Sequence, residues 1–155
     1  MKAFFRKIFW AALALMVLPS AAMSHCEIPC GIYDDSVRIT LLKEDIATIE
    51  KSMDQIVNLS AEGDKNYNQL VRWITNKEAH ADKVMEIVTQ YFMTQRIKPA
   101  EISDPAAFDK YNESLRLLHQ MLVYAMKAKQ TTDKANTAQL GVLVDKFATL
   151  YFGRQ

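Results

Sequence analysis

The residues with the greatest chemical potential are His25, Cys26 and Cys30, which lie within six consecutive positions. If the mature chain begins at His25, this stretch offers a free α-amine, an imidazole, the amide nitrogen of Cys26 and two thiols. The amine and the amide nitrogen can form one chelate ring with a metal ion, and the amide nitrogen and thiolate of Cys26 can form another. Pro29 and Gly31 flank Cys30 and supply a turn that brings its thiol back to the same ion.

These donors define a planar site with two nitrogen and two sulfur ligands. Square-planar coordination with nitrogen donors is typical of Ni(II) or Cu(II), whereas zinc prefers a tetrahedron. A deprotonated amide and two thiolates are strong donors, and they stabilise a higher oxidation state of the metal. The imidazole of His25 is left to occupy or leave an axial position. The pattern therefore predicts a one-electron redox centre with an open face.

Two other interpretations explain the cysteines without catalysis. A Cys26–Cys30 disulfide could staple the N-terminus, because exported proteins favour disulfides. A cysteine pair could also carry copper or zinc, as in a metallochaperone. Neither interpretation accounts for His25 directly after a predicted cleavage site, or for Tyr33 three residues beyond the second cysteine.

Residues 1–24 have the three-part pattern of a secretory signal peptide, with cleavage expected after Ser24. A basic start, residues 1–7, precedes an apolar run, residues 8–18, and then a proline and small residues with Ala22 at the −3 position. The apolar run of 11 residues is well short of the ~20 that cross a bilayer as a helix. We therefore expect a processing peptidase, no stable membrane anchor after cleavage, and an exported, periplasmic protein.

The charge and the remaining motifs exclude several function classes. Cleavage would remove three basic residues and no acidic residue, which changes the formal net charge from +1 to −2. Since a nucleic-acid-binding domain is strongly basic on one face, we expect no nucleic acid partner. The sequence has no glycine-rich phosphate loop and no G-x-S-x-G elbow. His80 and His119 each stand alone on a predicted helix, and we expect them to be packing or surface residues.

The remainder of the mature chain, residues 34–155, is predicted to be an all-α antiparallel four-helix bundle. No stretch shows the period-2 alternation of a strand, whereas apolar residues recur at three- and four-residue steps. We predict helices over about 35–59 and 65–96, a third that begins at Pro105, and a fourth over about 133–152. Asp104 is the expected N-cap of the third helix, and the short links favour antiparallel neighbours.

The sequence also predicts how the first helix is capped and which apolar residues face the core. Asp34, Asp35 or Ser36 is expected to cap the first helix. Apolar stripes of this kind are usually core. In chain order the apolar positions are Val37, Leu41, Ile46, Ile49, Met53, Ile56 and Val57, then Leu70, Trp73, Ile74, Val84, Ile87, Val88 and Tyr91, then Phe108, Tyr111, Leu115, Leu118, Leu122 and Ala125, and finally Leu140, Leu143, Val144, Phe147 and Tyr151.

The string H-C-E-I-P-C-G-I-Y over residues 25–33 resembles the nickel hook of nickel superoxide dismutases, H-C-x-x-P-C-G-x-Y. All six fixed positions match, and the string begins where the signal peptide is expected to end. The resemblance implies conversion of superoxide to dioxygen and hydrogen peroxide by a ping-pong Ni(III)/Ni(II) cycle. It also implies one nickel ion per chain and a homohexamer of four-helix bundles, with each hook packed against neighbouring subunits.

The same resemblance assigns roles within the hook. The nickel ligands would be the amine and imidazole of His25, the amide nitrogen and thiolate of Cys26, and the thiolate of Cys30. Tyr33 would stand over the open face and hold a water or the incoming anion, so that Tyr33 and the axial His25 are the expected catalytic residues.

Outside the hook the resemblance is looser. A second pocket tyrosine of the family, in a Tyr-Phe pair at the end of the second helix, would be Tyr91, which Phe92 follows. Some family members orient the axial imidazole with a glutamate in the first helix and an arginine in the second. This sequence has Thr40 and Asn76 at those places, so its axial imidazole would be oriented in another way.

Overall fold

The computed structural model describes residues 34–153 of the 155-residue chain. These residues form no strand, and their long α-helices are α1 (Asp35–Ser60), α2 (Tyr67–Glu86), α3 (Pro105–Gln130) and α4 (Ala135–Phe152). A 3₁₀ turn, Gly63–Asn66, precedes α2, and a π-helix, Ile87–Arg96, continues it directly. The predicted signal peptide and hook, residues 1–33, lie outside the described residues.

The long helices form a closed ring of neighbours. Helix α1 packs against α2 and α4, and α3 packs against the same two helices. Asp35 at the start of α1 contacts Arg96 at the end of the π-helix and Tyr151 at the end of α4, so sequential helices run in opposite directions. We call this end of the bundle the proximal end. The predicted all-α antiparallel four-helix bundle is thus confirmed for the described residues.

An apolar core fills the space between the four helices. Each helix contributes fully buried side chains, including Leu42, Met53, Val88, Leu118 and Phe147. Burial of one such side chain stabilises the fold by roughly 1.5–3 kcal/mol relative to its exposure to water. Towards the proximal end the core becomes aromatic: the rings of Phe92 and Phe147 meet edge to face with centroids 4.9 Å apart.

Helix α1 buries part of the predicted stripe, since Ile46, Ile49 and Met53 lie in the core as expected. Val37 and Val57 are 49% and 52% exposed, so their prediction as core residues is wrong. The buried apolar residues instead follow a strict three-then-four spacing: Ile39, Leu42, Ile46, Ile49 and Met53. This spacing keeps one narrow stripe on the same face over four turns, whereas Val37 and Val57 fall outside that stripe.

Helix α2 differs from the prediction in its first half. It begins at Tyr67 rather than Lys65, because the 3₁₀ turn occupies the preceding residues. Ile74 is 40% exposed, so its assignment to the core is wrong. Val84, Val88 and Tyr91, in the second half of the predicted helix, are buried as expected.

The starts of α1 and α3 and the end of α4 follow local chemistry. Asp34 caps α1 by accepting a hydrogen bond from the Ser36 amide at 2.7 Å. Asp104 caps α3 by accepting one from the Ala107 amide at 3.1 Å, and Pro105 is the first helical residue, as predicted. Helix α4 ends before Gly153, whose positive φ of 65° is readily adopted only by glycine.

One buried cation joins two helices at the opposite end of the bundle. The ammonium of Lys77 on α2 donates to the carbonyl oxygens of Ala128 at 2.9 Å and Thr131 at 3.2 Å, and also to that of Lys129. The last carbonyls of a helix lack partners within the helix, and a cation is favourable near them. Lys77 therefore supplies a hydrogen-bond donor to the carbonyl groups at the C-terminus of α3. Within residues 34–153, no helix is both long enough and apolar enough to span a membrane.

Candidate metal centre

The predicted ligands His25, Cys26 and Cys30 and the predicted catalytic Tyr33 lie outside the described residues. Their attachment to the bundle is described, because Asp34 follows Tyr33 directly and caps α1. The hook is therefore joined covalently to the proximal end. The first described side chains, which lie at this end, are those closest to the hook along the chain.

Tyr91 is the predicted pocket residue that the structure describes. Its side chain lies at the proximal end, is 6% exposed, and belongs to the π-helix. Its hydroxyl donates to Asp35 Oδ1 at 2.5 Å and accepts from Arg96 Nη2 at 2.8 Å. The guanidinium groups of Arg96 and Arg38 lie 4.7 and 5.1 Å from its ring centroid. Tyr91 is thus held from its hydroxyl and from its ring.

The π-helix explains how Arg96 reaches Tyr91. Residues five apart in an α-helix point in directions that differ by about 140°, because each residue turns the chain by about 100°. In a π-helix the hydrogen bonds join residues five apart, so such residues lie one above the other. The backbone amide of Ile97, for example, donates to Phe92 at 2.9 Å. Tyr91 and Arg96 therefore share one face of the helix.

Asp35, the first residue of α1, is the hub of this arrangement. Its Oδ1 accepts hydrogen bonds from Tyr91 and from Arg96 Nε, the latter at 2.8 Å, and its Oδ2 accepts from the hydroxyl of Tyr151 on α4 at 2.7 Å. One carboxylate thus ties the start of α1 to the ends of two other helices. We refer to Asp35, Tyr91, Arg96 and Tyr151 as the proximal network.

The sequence does not indicate this role for three of the four residues. It predicts Asp35 only as a cap, Tyr151 only as a core residue and Arg96 only as the end of a helix. The pairing of Tyr91 with Arg96 has no signal in α-helical periodicity, because it depends on a π-helix. Hydrophobic spacing carries no information about that backbone form.

The electrostatics of the proximal network favour an ionised Asp35 and neutral phenols. Partial burial acts to raise the pKa of Asp35, but hydrogen bonds from Tyr91 and Tyr151 and the charge of Arg96 outweigh it and hold the pKa below its usual value. Burial and the hydrogen bond to Asp35 raise the pKa of the Tyr91 hydroxyl. The same two causes raise the pKa of the Tyr151 hydroxyl further.

An open groove of about 530 Å³ borders the network on the side of α3. Arg96 and Tyr151 line it together with Lys98, Lys110 and Tyr111. Glu101 and Asp104 also contribute to the lining, so the groove carries a small excess of positive charge. A small anion would meet cationic and phenolic donors at this end of the bundle.

Thr40 and Asn76, which the resemblance places where some family members would have charged residues, have local partners in this structure. The hydroxyl of Thr40 donates to the carbonyl of Ser36 at 3.1 Å, within its own helix. The amide of Asn76 donates to Ser52 Oγ at 3.0 Å, between α1 and α2. Neither side chain belongs to the proximal network.

The two histidines of the bundle have packing and surface positions, as predicted. His80 Nδ1 lies 2.6 Å from Oδ1 of Asp45, between α1 and α2, and His119 is exposed. Among residues 34–153, no group of three or more His, Cys, Asp or Glu side chains is arranged to hold a metal ion.

The described residues form an all-α four-helix bundle, and the predicted metal ligands precede it in the sequence. The family model for nickel-containing superoxide dismutase matches residues 20–155. The chain therefore belongs to the nickel-containing superoxide dismutase family and is an oxidoreductase that acts on superoxide. This confirms the family and the enzyme class expected from the sequence. No curated protein and no solved structure gives a significant match to the chain.

Proposed function

We propose that the mature chain begins at His25 and binds one nickel ion through its first six residues. The ligands are the amine and imidazole of His25, the amide nitrogen and thiolate of Cys26, and the thiolate of Cys30. The observation that carries the proposal is the complete hook motif over residues 25–33, in a chain of this family. The donor set fits nickel, because two thiolates and two in-plane nitrogens suit a square-planar ion.

Nickel, when bound, would supply the one-electron redox chemistry by which two superoxide ions and two protons become dioxygen and hydrogen peroxide. The chain's residues would hold the ion and handle the substrate. The imidazole of His25 would be a ligand, and the hydroxyl of Tyr33 would hold the incoming anion.

Tyr91 is proposed as a second pocket tyrosine. Its support is its position at the bundle end to which the hook is joined, with a hydroxyl fixed by Asp35 and Arg96. Because the pKa of its hydroxyl is raised, Tyr91 stays a neutral phenol at physiological pH. Two guanidinium groups lie against Tyr91 beside the single ionised carboxylate of Asp35, and this excess of positive charge favours the approach of superoxide.

We propose that the precursor is exported to the periplasm and cleaved after Ser24 by a processing peptidase. The support is the three-part pattern of residues 1–24 and the requirement that His25 carry a free amine. Intact mass spectrometry of protein from its native host tests this directly. The expected mature chain begins at His25, and a start two or more residues away on either side contradicts the hook.

Metal analysis of the purified mature protein tests the cofactor. The expected result is about one nickel ion per chain, since the chain offers a single ligand set of this kind. The protein should also have dismutase activity that a nickel chelator removes. Stoichiometric copper or zinc, without nickel and without activity, would instead favour an exported metal carrier.

We further propose that the protein assembles as a homohexamer, as the resemblance implies. A stripe of exposed apolar side chains on α2, formed by Tyr67, Val71 and Ile74, supports association with a second copy. Light scattering should give six times the mature mass, and Val71→Glu should lower it. A fully active wild-type monomer would show that contacts between subunits are not needed.

A further inference from the structure

The proximal network joins three separate parts of the fold at one carboxylate. Asp35 begins α1, Arg96 ends the π-helix, and Tyr151 lies in the last turn of α4. Every polar atom of the Asp35 carboxylate has a partner from another element. Asp35 is also only five positions after Cys30, so the network lies close in sequence to the proposed ligands.

The chain adopts an unusual backbone to build this network. The π-helix spans ten residues, whereas most π-helical segments are single turns and are frequent at functional sites. Its geometry stacks Arg96 on Tyr91, which an α-helix of the same sequence would not do. The guanidinium can then donate through Nε to Asp35 and through Nη2 to the Tyr91 hydroxyl at once.

We propose that Arg96, Asp35 and Tyr151 are positioning residues for the nickel hook: they fix the start of α1 and the hydroxyl of Tyr91 in one arrangement, and the π-helix places Arg96 for this task. The proposal rests on the proposed nickel site and extends it to residues outside the hook. These three residues act through the base of the hook and through Tyr91, and none of them is a nickel ligand.

The hydrogen-bond directions favour positioning over proton transfer. Both phenol groups donate to the same carboxylate, so their protons point away from any outer acceptor and towards Asp35. Arg96 donates to Asp35 and to Tyr91, and a guanidinium cannot accept a proton. What such an arrangement provides is fixed geometry, as hydrogen bonds around metal ligands commonly do.

The test uses the full mature chain with Arg96→Met, Arg96→Lys and Tyr151→Phe. A double variant, Q95R/R96Q, moves the guanidinium to the position that an α-helix would place near Tyr91. There are two matched controls. Tyr124→Phe removes the hydroxyl of a partly buried tyrosine on α3, and Lys129→Met breaks the 2.7 Å ion pair with Asp82. Circular dichroism establishes that each variant keeps its helices.

Two readouts are taken: nickel affinity by chelator competition, and hydrogen exchange of residues 34–42 in the metal-free protein. Arg96→Met should weaken nickel binding about 10- to 100-fold, the usual effect of removing a group that orients metal ligands. It should also speed exchange in the first turns of α1. Arg96→Lys and Q95R/R96Q should resemble Arg96→Met, because neither can make both hydrogen bonds, and Tyr151→Phe should have a smaller effect.

Wild-type affinity and wild-type exchange in Arg96→Met would overturn the proposal. Wild-type behaviour of Arg96→Lys or of Q95R/R96Q would overturn the role of the π-helix, because charge alone would then suffice. If the wild-type chain bound no nickel, the proposed function would fail, while the exchange data on metal-free protein would still decide whether the network fixes α1.

Discussion

The guanidinium of Arg96 lies over the ring of Tyr91, 4.7 Å from its centroid, and donates to its hydroxyl at 2.8 Å, although the two residues are five positions apart on one helix. The contact exists because the chain is π-helical between Ile87 and Arg96. Asp35 accepts from both residues and so connects them to the start of α1. The π-helix therefore determines the side-chain contacts at the end of the bundle that follows the proposed nickel hook in sequence.

The acid dependence of stability should reveal the ionised state of Asp35. Because the pKa of Asp35 is lower in the folded protein, its contribution is complete above its unfolded value of about 3.9 and is lost as the pH falls through the folded value. Asp35→Asn should be less stable than wild type at pH 6 and should lose less stability between pH 6 and pH 3. Urea unfolding at both pH values measures this. Parallel losses in the two proteins would show that Asp35 is not preferentially ionised in the fold.

The hydroxyl groups of Tyr91 and Tyr151 should lose their protons at a higher pH than ordinary tyrosines do. The chain contains six tyrosines, and burial and the hydrogen bonds to Asp35 raise the pKa of Tyr91 and Tyr151. A raised pKa gives stability below about pH 10 that is lost as the pH rises further. Near-ultraviolet absorbance should therefore show two phenols that stay protonated above pH ~10 until the protein unfolds. Tyr151→Phe should remove one of them, and the prediction fails if it leaves the late phase unchanged.

Lys77 should matter to stability although it is far from the proximal end. Lys77→Met leaves the carbonyls of Ala128, Lys129 and Thr131 without their shared donor. Buried acceptors left without a partner cost about 1–3 kcal/mol of unfolding free energy. Lys83→Met, an exposed position on the same helix, is the control and should change stability by no more than about 0.5 kcal/mol. Equal effects of the two changes in urea unfolding would contradict the capping role.

Tyr33→Phe should separate ligand binding from anion handling. Since Tyr33 is not proposed as a ligand, the variant should keep its nickel. Loss of the hydroxyl should change the dependence of the dismutase rate on superoxide concentration. Tyr124→Phe serves as the matched control and should behave as wild type. Loss of nickel from Tyr33→Phe would mean that this residue has a structural role in the hook.

The fold was predictable from the sequence because its signals are local and repeated. Asp104 followed by Pro105 predicted the start of α3, and the stripe from Leu140 to Phe147 predicted the buried face of α4. The buried face of α1 was predicted only in its middle, where Ile46, Ile49 and Met53 are buried. Val37 and Val57 were wrongly included, because they are apolar but lie outside the stripe that begins at Ile39. Spacing alone does not say which of two apolar stripes faces the neighbouring helices.

The hook and the proximal network also differ in how far the sequence predicts them. The hook could be predicted because its residue types, their order and their place after a signal peptide all agree within nine positions. The proximal network could not, because the three residues that donate to Asp35 lie 56 to 116 positions after it. The Tyr91–Arg96 pair depends on a backbone form which leaves no mark on hydrophobic spacing.

The most direct test of the central claim changes only the N-terminal amine. The mature chain is prepared with its authentic start at His25 and, separately, with one alanine ahead of His25. The added residue converts the His25 nitrogen into an amide and moves the free amine away, while the spacing of Cys26 and Cys30 is kept. Nickel content and dismutase activity are measured on both proteins, with circular dichroism as the check on the bundle.

We expect nickel and activity in the chain that begins at His25, and near-complete loss of activity in the extended chain with its helices intact. A disulfide staple or a simple two-thiol carrier would survive the insertion, because it needs only the two cysteines. Activity of the extended chain within a few-fold of the authentic one would show that the N-terminal amine is not a ligand, which would contradict the nickel hook.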